Sequence, residues 1–489
     1  MPSTVYVGAV VHSKGLKELE SFEHAAIGVT KSGKISFLAS LPPSIYSRFD
    51  EKVKSGGLSF DSTSVGDWFG EEIAERLSGV DLDDVTVESL GDKIIIPGFV
   101  DTHLHAPQYA FTGTGYDLPL LPWLNTYTFP AESRCQQAAY AHKIYTKCVK
   151  RALMNGTTLV QYFGTIHLEA NQLLAALCAK YGQRAYIGKV NMDRNAPDYY
   201  VETTESSIKD TYAFIESFDG KLDPTKNLVI PCITPRFVPT CTGELLQKLG
   251  EIAKEFSLPV QSHVSENRDE VAWVKDLFPQ CSTYTQVYDY FGLLHEKTTL
   301  AHGVYLEQES VDLLKERNGT VSHCANSNFS LASGACTVNR LLSAGVRVSL
   351  GTDVSGGYSI SILNAIRAAD WAAKVVSANA HHPFYEPLNP PPAESVVSAW
   401  PKLTTSEEFY LATQGGADCL GLGSVVGNFL PGKEFDASIV DPYVENGPFD
   451  VFPEDSFSDI FSKFLFLGDD RNFNSVFVRG RKVYPFSDE

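Results

Sequence analysis

The segment Ile94-Ile95-Ile96-Pro97-Gly98-Phe99-Val100-Asp101-Thr102-His103-Leu104-His105 runs from an apolar block into two histidines one residue apart. Residues i and i+2 of a strand point to the same side. Both imidazoles therefore project from one face, near the strand's C-terminal end, where a single metal can collect them. Asp101 shares that face. The spacing suits zinc, whose imidazole bonds are short and whose catalytic sites keep a position open for water. The plainer reading is a strand end with two polar residues, but Asp-x-His-x-His after a buried strand is rare by accident.

Moving outward, short apolar runs alternate with helical stretches from Ile94 onward. They are Ile95–Val100, Thr158–Tyr162, Ala185–Val190, Leu228–Ile233, Pro259–His263, Thr298–His302, Thr320–His323 and Val346–Leu350. Continuous apolar runs indicate strands buried on both faces, as in a parallel sheet covered by helices. Eight such alternations predict an α/β chain with a (β/α)8 barrel of the TIM type. The rival, an open doubly wound sheet, is weakened by the lack of Gly-x-Gly-x-x-Gly after the first strand.

Chemically able residues sit just after these runs: His103 and His105, Arg236, His263 and Glu266, His302, and Asp353. The C-terminal strand ends of such a barrel form its active-site mouth, so these distant residues would converge. The segment from Ala106 to about Glu132 is rich in Gly, Pro and aromatics, including Trp123, and reads as a lid over that mouth. Short strands with turn residues mark both chain ends. The expected division is 1–93 and 428–489 as two parts of a small β-sandwich domain, with 94–427 as the catalytic barrel. The stretch His381 to Leu403, with Pro390-Pro391-Pro392, reads as a surface connection. Thr405-Ser406-Glu407-Glu408 after it reads as a capping box.

With 489 residues the chain suits a large barrel plus a satellite domain. A net charge of −19 argues against a nucleic-acid partner without excluding a neutral base as substrate. No 18-residue apolar run predicts a membrane span, and the N-terminus lacks a signal-peptide pattern. Nine scattered cysteines without Cys-x-x-Cys indicate free thiols in a cytosolic chain. Cys241 and Cys324 lie beside site segments, but core packing accounts for both.

His103, His105, His263 and Asp353 form a donor set for one zinc ion that also binds water. The metal lowers the pKa of that water from ~15.7 towards ~7. Asp353 can take the proton as hydroxide attacks, Glu266 can pass it to a ring nitrogen and a leaving group, and His302 can bond the attacking oxygen or polarise the reacting centre. Each has a plainer alternative: a helix N-cap for Asp353, a solvated first-turn residue for Glu266, a core histidine for His302. His323 also ends a strand, but the donor set is full without it. His12, His24, His142, His167, His295, His381 and His382 read as ordinary histidines. His167-Leu168-Glu169 matches the His-x-Glu of another zinc deaminase class, but the Pro-Cys-x-x-Cys which that class needs is missing. Lys189 at the end of run three suggests a carbamylated bridge between two metals, but a bridging lysine belongs at run four, where none stands. One metal is the better count.

These residues resemble the amidohydrolase superfamily, with its ATZ/TRZ-like metal-dependent deaminases, and more narrowly the guanine deaminases. The resemblance spans almost the whole chain. It is carried by Pro97 to Gln108, Thr234-Pro235-Arg236-Phe237, Gln261 to Glu266, Ala301-His302-Gly303 and Gly351-Thr352-Asp353. Ser322-His323-Cys324-Ala325-Asn326-Ser327-Asn328 is similar to a family segment that has proline where Ala325 stands. Gly415-Gly416-Ala417 and Pro431-Gly432-Lys433 resemble the family's closing helix and its return into the small β domain. The resemblance implies that Gln108 and Arg236 hydrogen-bond a purine edge and that Phe237, joined by Trp123, packs on its face. It also implies hydrolytic deamination of guanine to xanthine and ammonia, one Zn2+ per chain, a homodimer and a cytoplasmic enzyme. Another aromatic-amine deaminase or chlorohydrolase of the superfamily, or a scaffold that has lost catalysis, remains open at this point.

Overall fold

The computed structural model describes residues 2–47, 85–379 and 402–486. Eight parallel strands follow one another in sequence order around one sheet: β5 (Phe99–His105), β6 (Thr157–Phe163), β7 (Arg184–Asn191), β8 (Val229–Pro235), β9 (Val260–Val264), β10 (Thr298–His302), β11 (Thr320–His323) and β12 (Arg347–Leu350). Their residues are buried almost without exception, as expected of strands covered on both faces. Between them lie amphipathic helices. Gly243–Phe256 buries Leu245, Leu246, Leu249, Ile252 and Ala253 at helical spacing. The Thr242 side chain caps it by accepting a hydrogen bond from the Leu245 N–H at 3.1 Å.

The barrel closes where β5 meets the end of β12. Asp353 N–H donates to the His103 carbonyl at 2.8 Å, and His105 N–H to the Val354 carbonyl at 3.0 Å. Buried side chains reinforce this seam: Thr102 Oγ1 lies 2.7 Å from both Ser322 Oγ and Ser349 Oγ. Gly351 is required here, because a Cβ would stand 2.8 Å from the His103 Cβ and 2.5 Å from Ser322 Oγ.

A second sheet has seven strands in the order Arg481–Tyr484, Phe473–Val478, Ala437–Val440, Thr86–Pro97, Pro2–Gly15, Glu18–Thr30 and Ile35–Ser40. It joins β1 (Pro2–Gly15), β2 (Glu18–Thr30), β3 (Ile35–Ser40) and β4 (Thr86–Pro97) to β13 (Ala437–Val440), β14 (Phe473–Val478) and β15 (Arg481–Tyr484). The run Ile95–Val100, expected to be one barrel strand, is split. Ile94 to Pro97 pair with β13 in the second sheet, and the barrel strand starts at Phe99. Gly98 makes the crossing, and a Cβ there would meet Thr158 Oγ1 at 2.2 Å. Ile94, Ile96, Phe99 and Phe473 share one hydrophobic core, so the two sheets pack together.

The helix Thr405–Ala412 is capped one residue earlier than expected. Thr404 is the N-cap, and Glu407 closes the box, accepting from the Thr404 N–H at 2.8 Å. Most of the stretch expected to form a surface connection, 381–401 with its three prolines, lies outside the described residues. All nine cysteines are free and buried, and burial pushes the Cys241 thiol up to about 12. No helix among the described residues is long and apolar enough to cross a membrane.

Arg184, at the start of β7, ties the barrel to the segment entering β13. Its guanidinium meets Glu434 at 2.6 Å and Asp436 at 3.0 Å, all three groups being buried. Arg184→Met leaves the Asp436 carboxylate without its guanidinium. It is expected to cost about 3–5 kcal/mol, read as a fall in the denaturant midpoint. A change below about 1 kcal/mol would show that the junction does not depend on this pair.

Candidate active site

At the barrel mouth, β5 supplies His103 and His105, β9 supplies His263, and Asp353 follows β12. The Nε2 atom of His105 lies 3.2 Å from that of His103 and 3.1 Å from that of His263. Asp353 Oδ1 is 3.1 Å from His103 Nε2 and 3.4 Å from His105 Nε2. Nitrogens bound to one ion at about 2.0–2.1 Å stand about this far apart, so the donor set fits a metal. Burial first, then mutual repulsion, holds His105 and His263 well below the ordinary histidine pKa, which keeps them neutral as ligands must be. The His263 Nδ1–H donates to the Arg236 carbonyl at 2.6 Å, leaving Nε2 with its lone pair toward the cluster. Phe163 backs the donors, its ring centre 4.5–4.9 Å from those of His103, His105 and His263.

His302 belongs to the same gathering: one donor atom each from His103, His263, His302 and Asp353 lies within 4.8 Å of the others. Its Nε2 faces carboxylates, with Glu266 Oε2 at 3.4 Å and Asp353 Oδ2 at 3.7 Å. Its Nδ1–H donates to Asn328 Oδ1 at 2.9 Å. Burial opposes charge on His302, but Glu266 and Asp353 outweigh it and raise its pKa. The plainer alternatives do not describe these residues. Asp353 turns its carboxylate into the cluster, Glu266 is buried rather than solvated, and His302 packs between acids.

The two carboxyl groups are driven apart. Burial raises the Glu266 pKa to about 7. Burial also works against the Asp353 charge, but His103 first and then His302 and His105 hold its carboxyl far below the usual range. One group is thus poised to carry a proton and the other to stay ionised. The backbone is also constrained: His302 (φ 76°) and Asp353 (φ 48°) occupy the left-handed region that side-chain-bearing residues avoid.

Asp101 shares the strand but not the donor cluster. Its carboxylate turns across the seam to accept from Thr352 Oγ1 at 2.5 Å and Thr352 N–H at 3.0 Å. Lys189 is buried in an ion pair with Glu202 and stands outside the one donor gathering found among the described residues. His167 is the N-cap of the helix Leu168–Tyr181 and is not among the gathered donors. His323 is fully buried, and burial, then the His302 charge, pushes it down to about 3.

A cavity opens on the donors. His105, His263, Glu266, His302 and Asp353 line it together with Gln108, Arg236 and Phe237. Leu120, Trp123 and Leu124 come from the segment expected to be a lid, which folds into short helical turns over the cavity. Arg236, expected at a purine edge, lines the cavity and also forms a buried pair with Glu132 at 2.6 Å. Sequence reasoning missed Glu132, Tyr200 and Asn328. For Glu132 a faint signal existed: it is the acid that closes the aromatic-rich lid.

The amidohydrolase family model matches residues 94–483. A guanine deaminase of Dictyostelium discoideum is 43% identical over 479 residues, covering 98% of each chain. Human guanine deaminase is 42% identical over 489 residues, covering 99% of this chain and 97% of the relative. The structure of a guanine deaminase from C. acetobutylicum with bound guanine in the active site superposes with a TM-score of 0.81 at 34% identity, covering 98% of this chain and all of that one. With the family model spanning most of its length and these relatives matching end to end, this chain belongs to the amidohydrolase family, among its guanine deaminases.

Proposed function

We propose that the chain deaminates guanine hydrolytically, giving xanthine and ammonia, with one zinc ion held by His103, His105, His263 and Asp353. The observation that carries the reading is a buried donor set opening on a cavity that Arg236 and Gln108 also line. When bound, the metal supplies Lewis acidity that makes water a usable nucleophile near neutral pH.

The chain's own residues do the rest. Arg236 is a planar fork of N–H donors suited to a carbonyl oxygen and ring-nitrogen acceptors. Gln108 supplies an amide to the same edge, and Phe237 and Trp123 offer faces to the ring. The lid residues Leu120 and Leu124 exclude bulk water. Asp353, held ionised, accepts the proton that water loses as oxygen bonds to C2. Glu266, with a pKa near 7, carries a proton to the ring nitrogen and on to the amine, so that the C2–N bond breaks with ammonia leaving. His302 bridges the two carboxyl groups and is fixed by Asn328. A homodimer and a cytoplasmic location complete the proposal, both supported by the family resemblance.

The deciding assay is ammonia release from guanine, guanosine, adenine, cytosine and a triazine, with metal content measured and with and without a chelator. Chelator-sensitive turnover of guanine with about one zinc per chain is expected. Turnover of a different amine would overturn the roles of Gln108 and Arg236.

Asp353→Asn is expected to leave the fold intact and to lower kcat by at least about 1,000-fold; near-normal turnover removes Asp353 from the mechanism. Arg236→Ala strands the buried Glu132 carboxylate and is expected to lower the melting temperature, but also to raise KM for guanine at least about tenfold in the enzyme that still folds; a stability loss with an unchanged guanine KM would favour a purely structural ion pair. Asn328→Ala is expected to lower kcat about 10–100-fold, because His302 loses the acceptor that orients its ring, and to cost about 1–3 kcal/mol of stability for the unpaired buried N–H; near-normal kcat in the folded variant would remove Asn328 from the mechanism.

A further inference from the structure

Glu132 does not line the cavity, yet both polar side chains that face the purine lean on it. Its Oε1 accepts from Gln108 Nε2 at 2.9 Å and Arg236 Nη2 at 3.2 Å. Its Oε2 accepts from Arg236 Nη1 at 2.6 Å and Tyr200 Oη at 2.8 Å. The residue is fully buried, so both oxygens are desolvated and all four bonds come from protein donors.

Two consequences follow for the cavity wall. An ionised carboxylate only accepts hydrogen bonds, so Gln108 must turn its amide nitrogen toward Glu132. Its carbonyl oxygen then takes the Ser355 N–H at 3.2 Å, and the side chain is held at both ends. Arg236 keeps N–H groups for a ligand, but its charge is matched at contact distance by a single buried acid. Burial opposes the charge on Arg236, and Glu132 more than offsets it. The wall thus presents donors without a net positive charge.

Building on the reading of Gln108 and Arg236 as purine contacts, we propose that Glu132 is a positioning residue that sets the charge preference of the pocket. By cancelling Arg236 it favours a neutral lactam edge and disfavours purine anions. A bare guanidinium at the same place would attract urate-like monoanions and would hold on to an ionised oxopurine product. Specificity of this kind is a difference between two affinities, built here by a buried counter-charge rather than by shape. Glu132 also ends the lid, so the same carboxylate couples the lid to the strand end that carries Arg236.

The test compares Glu132→Gln, Arg236→Met, the double variant and Tyr200→Phe with the parent enzyme. It measures kcat and KM for guanine and Ki for two purines, neutral hypoxanthine and urate, a monoanion at neutral pH. In Glu132→Gln, KM for guanine is expected to rise about tenfold with a smaller change in kcat, while Ki for urate falls about tenfold relative to hypoxanthine. Arg236→Met, which leaves Glu132 bare, is expected to shift the ratio the opposite way. Tyr200→Phe, which changes no charge, is expected to leave it alone. Equal weakening of both inhibitors in Glu132→Gln would reduce Glu132 to a structural part and overturn the proposal.

If Glu132→Gln fails to fold, Arg236→Met and the double variant decide. The proposal requires urate to weaken beyond hypoxanthine in the first and the parental ratio to return in the second. Equal weakening in both variants would sink it. An unchanged guanine KM in Arg236→Met would instead overturn the purine-contact reading beneath it. A raised KM with an unmoved inhibitor ratio would overturn the role of Glu132 alone.

Discussion

Closure of the barrel between its first and last strands is the constraint on which the rest of the site depends. His103 and Asp353 are 250 residues apart in sequence, yet the Asp353 N–H bonds the His103 carbonyl directly. The seam that completes the barrel therefore also completes the donor set. Asp101 shows the same economy: it contributes no donor to the cluster, but its carboxylate clamps Thr352 and so fixes the residue before Asp353. Glycine is needed at position 351, where a Cβ would stand within 2.8 Å of the His103 Cβ across the join.

The features most legible in the sequence were those governed by local rules. A period-2 strand ending in His-x-His, and polar residues recurring just past apolar runs, follow from backbone geometry alone. Pro97-Gly98 was misread because the apolar run continues through it. Only pairing partners distant in sequence reveal that Ile94 to Pro97 belong to one sheet and Phe99 onward to another. Glu132, Tyr200 and Asn328 were hidden for the same reason. Each acts by contacting a residue brought near only by the fold: neither the place of Glu132 at the lid's end nor that of Asn328 within a family-like segment names the partner, and Tyr200 carries no pattern at all. The Thr404 cap illustrates the finer limit, since neighbouring Thr404 and Thr405 are both suited to the role and tertiary packing selects one.

Charge in this pocket is arranged as buried opposites rather than spread over a surface. Asp353 sits among His103, His105 and His302, Glu266 faces His302, and Glu132 holds Arg236. In a low-dielectric interior each such arrangement fixes a protonation state more firmly than it would in water. That is why two carboxyl groups that both approach His302 move in opposite directions. Asp353 has the imidazoles of His103, His302 and His105 around it and stays ionised, whereas Glu266 faces His302 alone and also feels Glu270 and Asp353.

The third of these pairings differs in purpose. The groups around Asp353 and Glu266 arrange for protons to move, while the Glu132 and Arg236 pair arranges for one not to. A guanidinium stays protonated throughout any accessible pH, so its charge can be adjusted only by what stands behind it. A carboxylate in that position leaves the directional N–H donors intact and removes the long-range attraction that would treat every anion alike. A wall so built reads the pattern of donors and acceptors on a neutral ring edge. It can then discriminate guanine from ions of similar shape without altering the outline of the cavity.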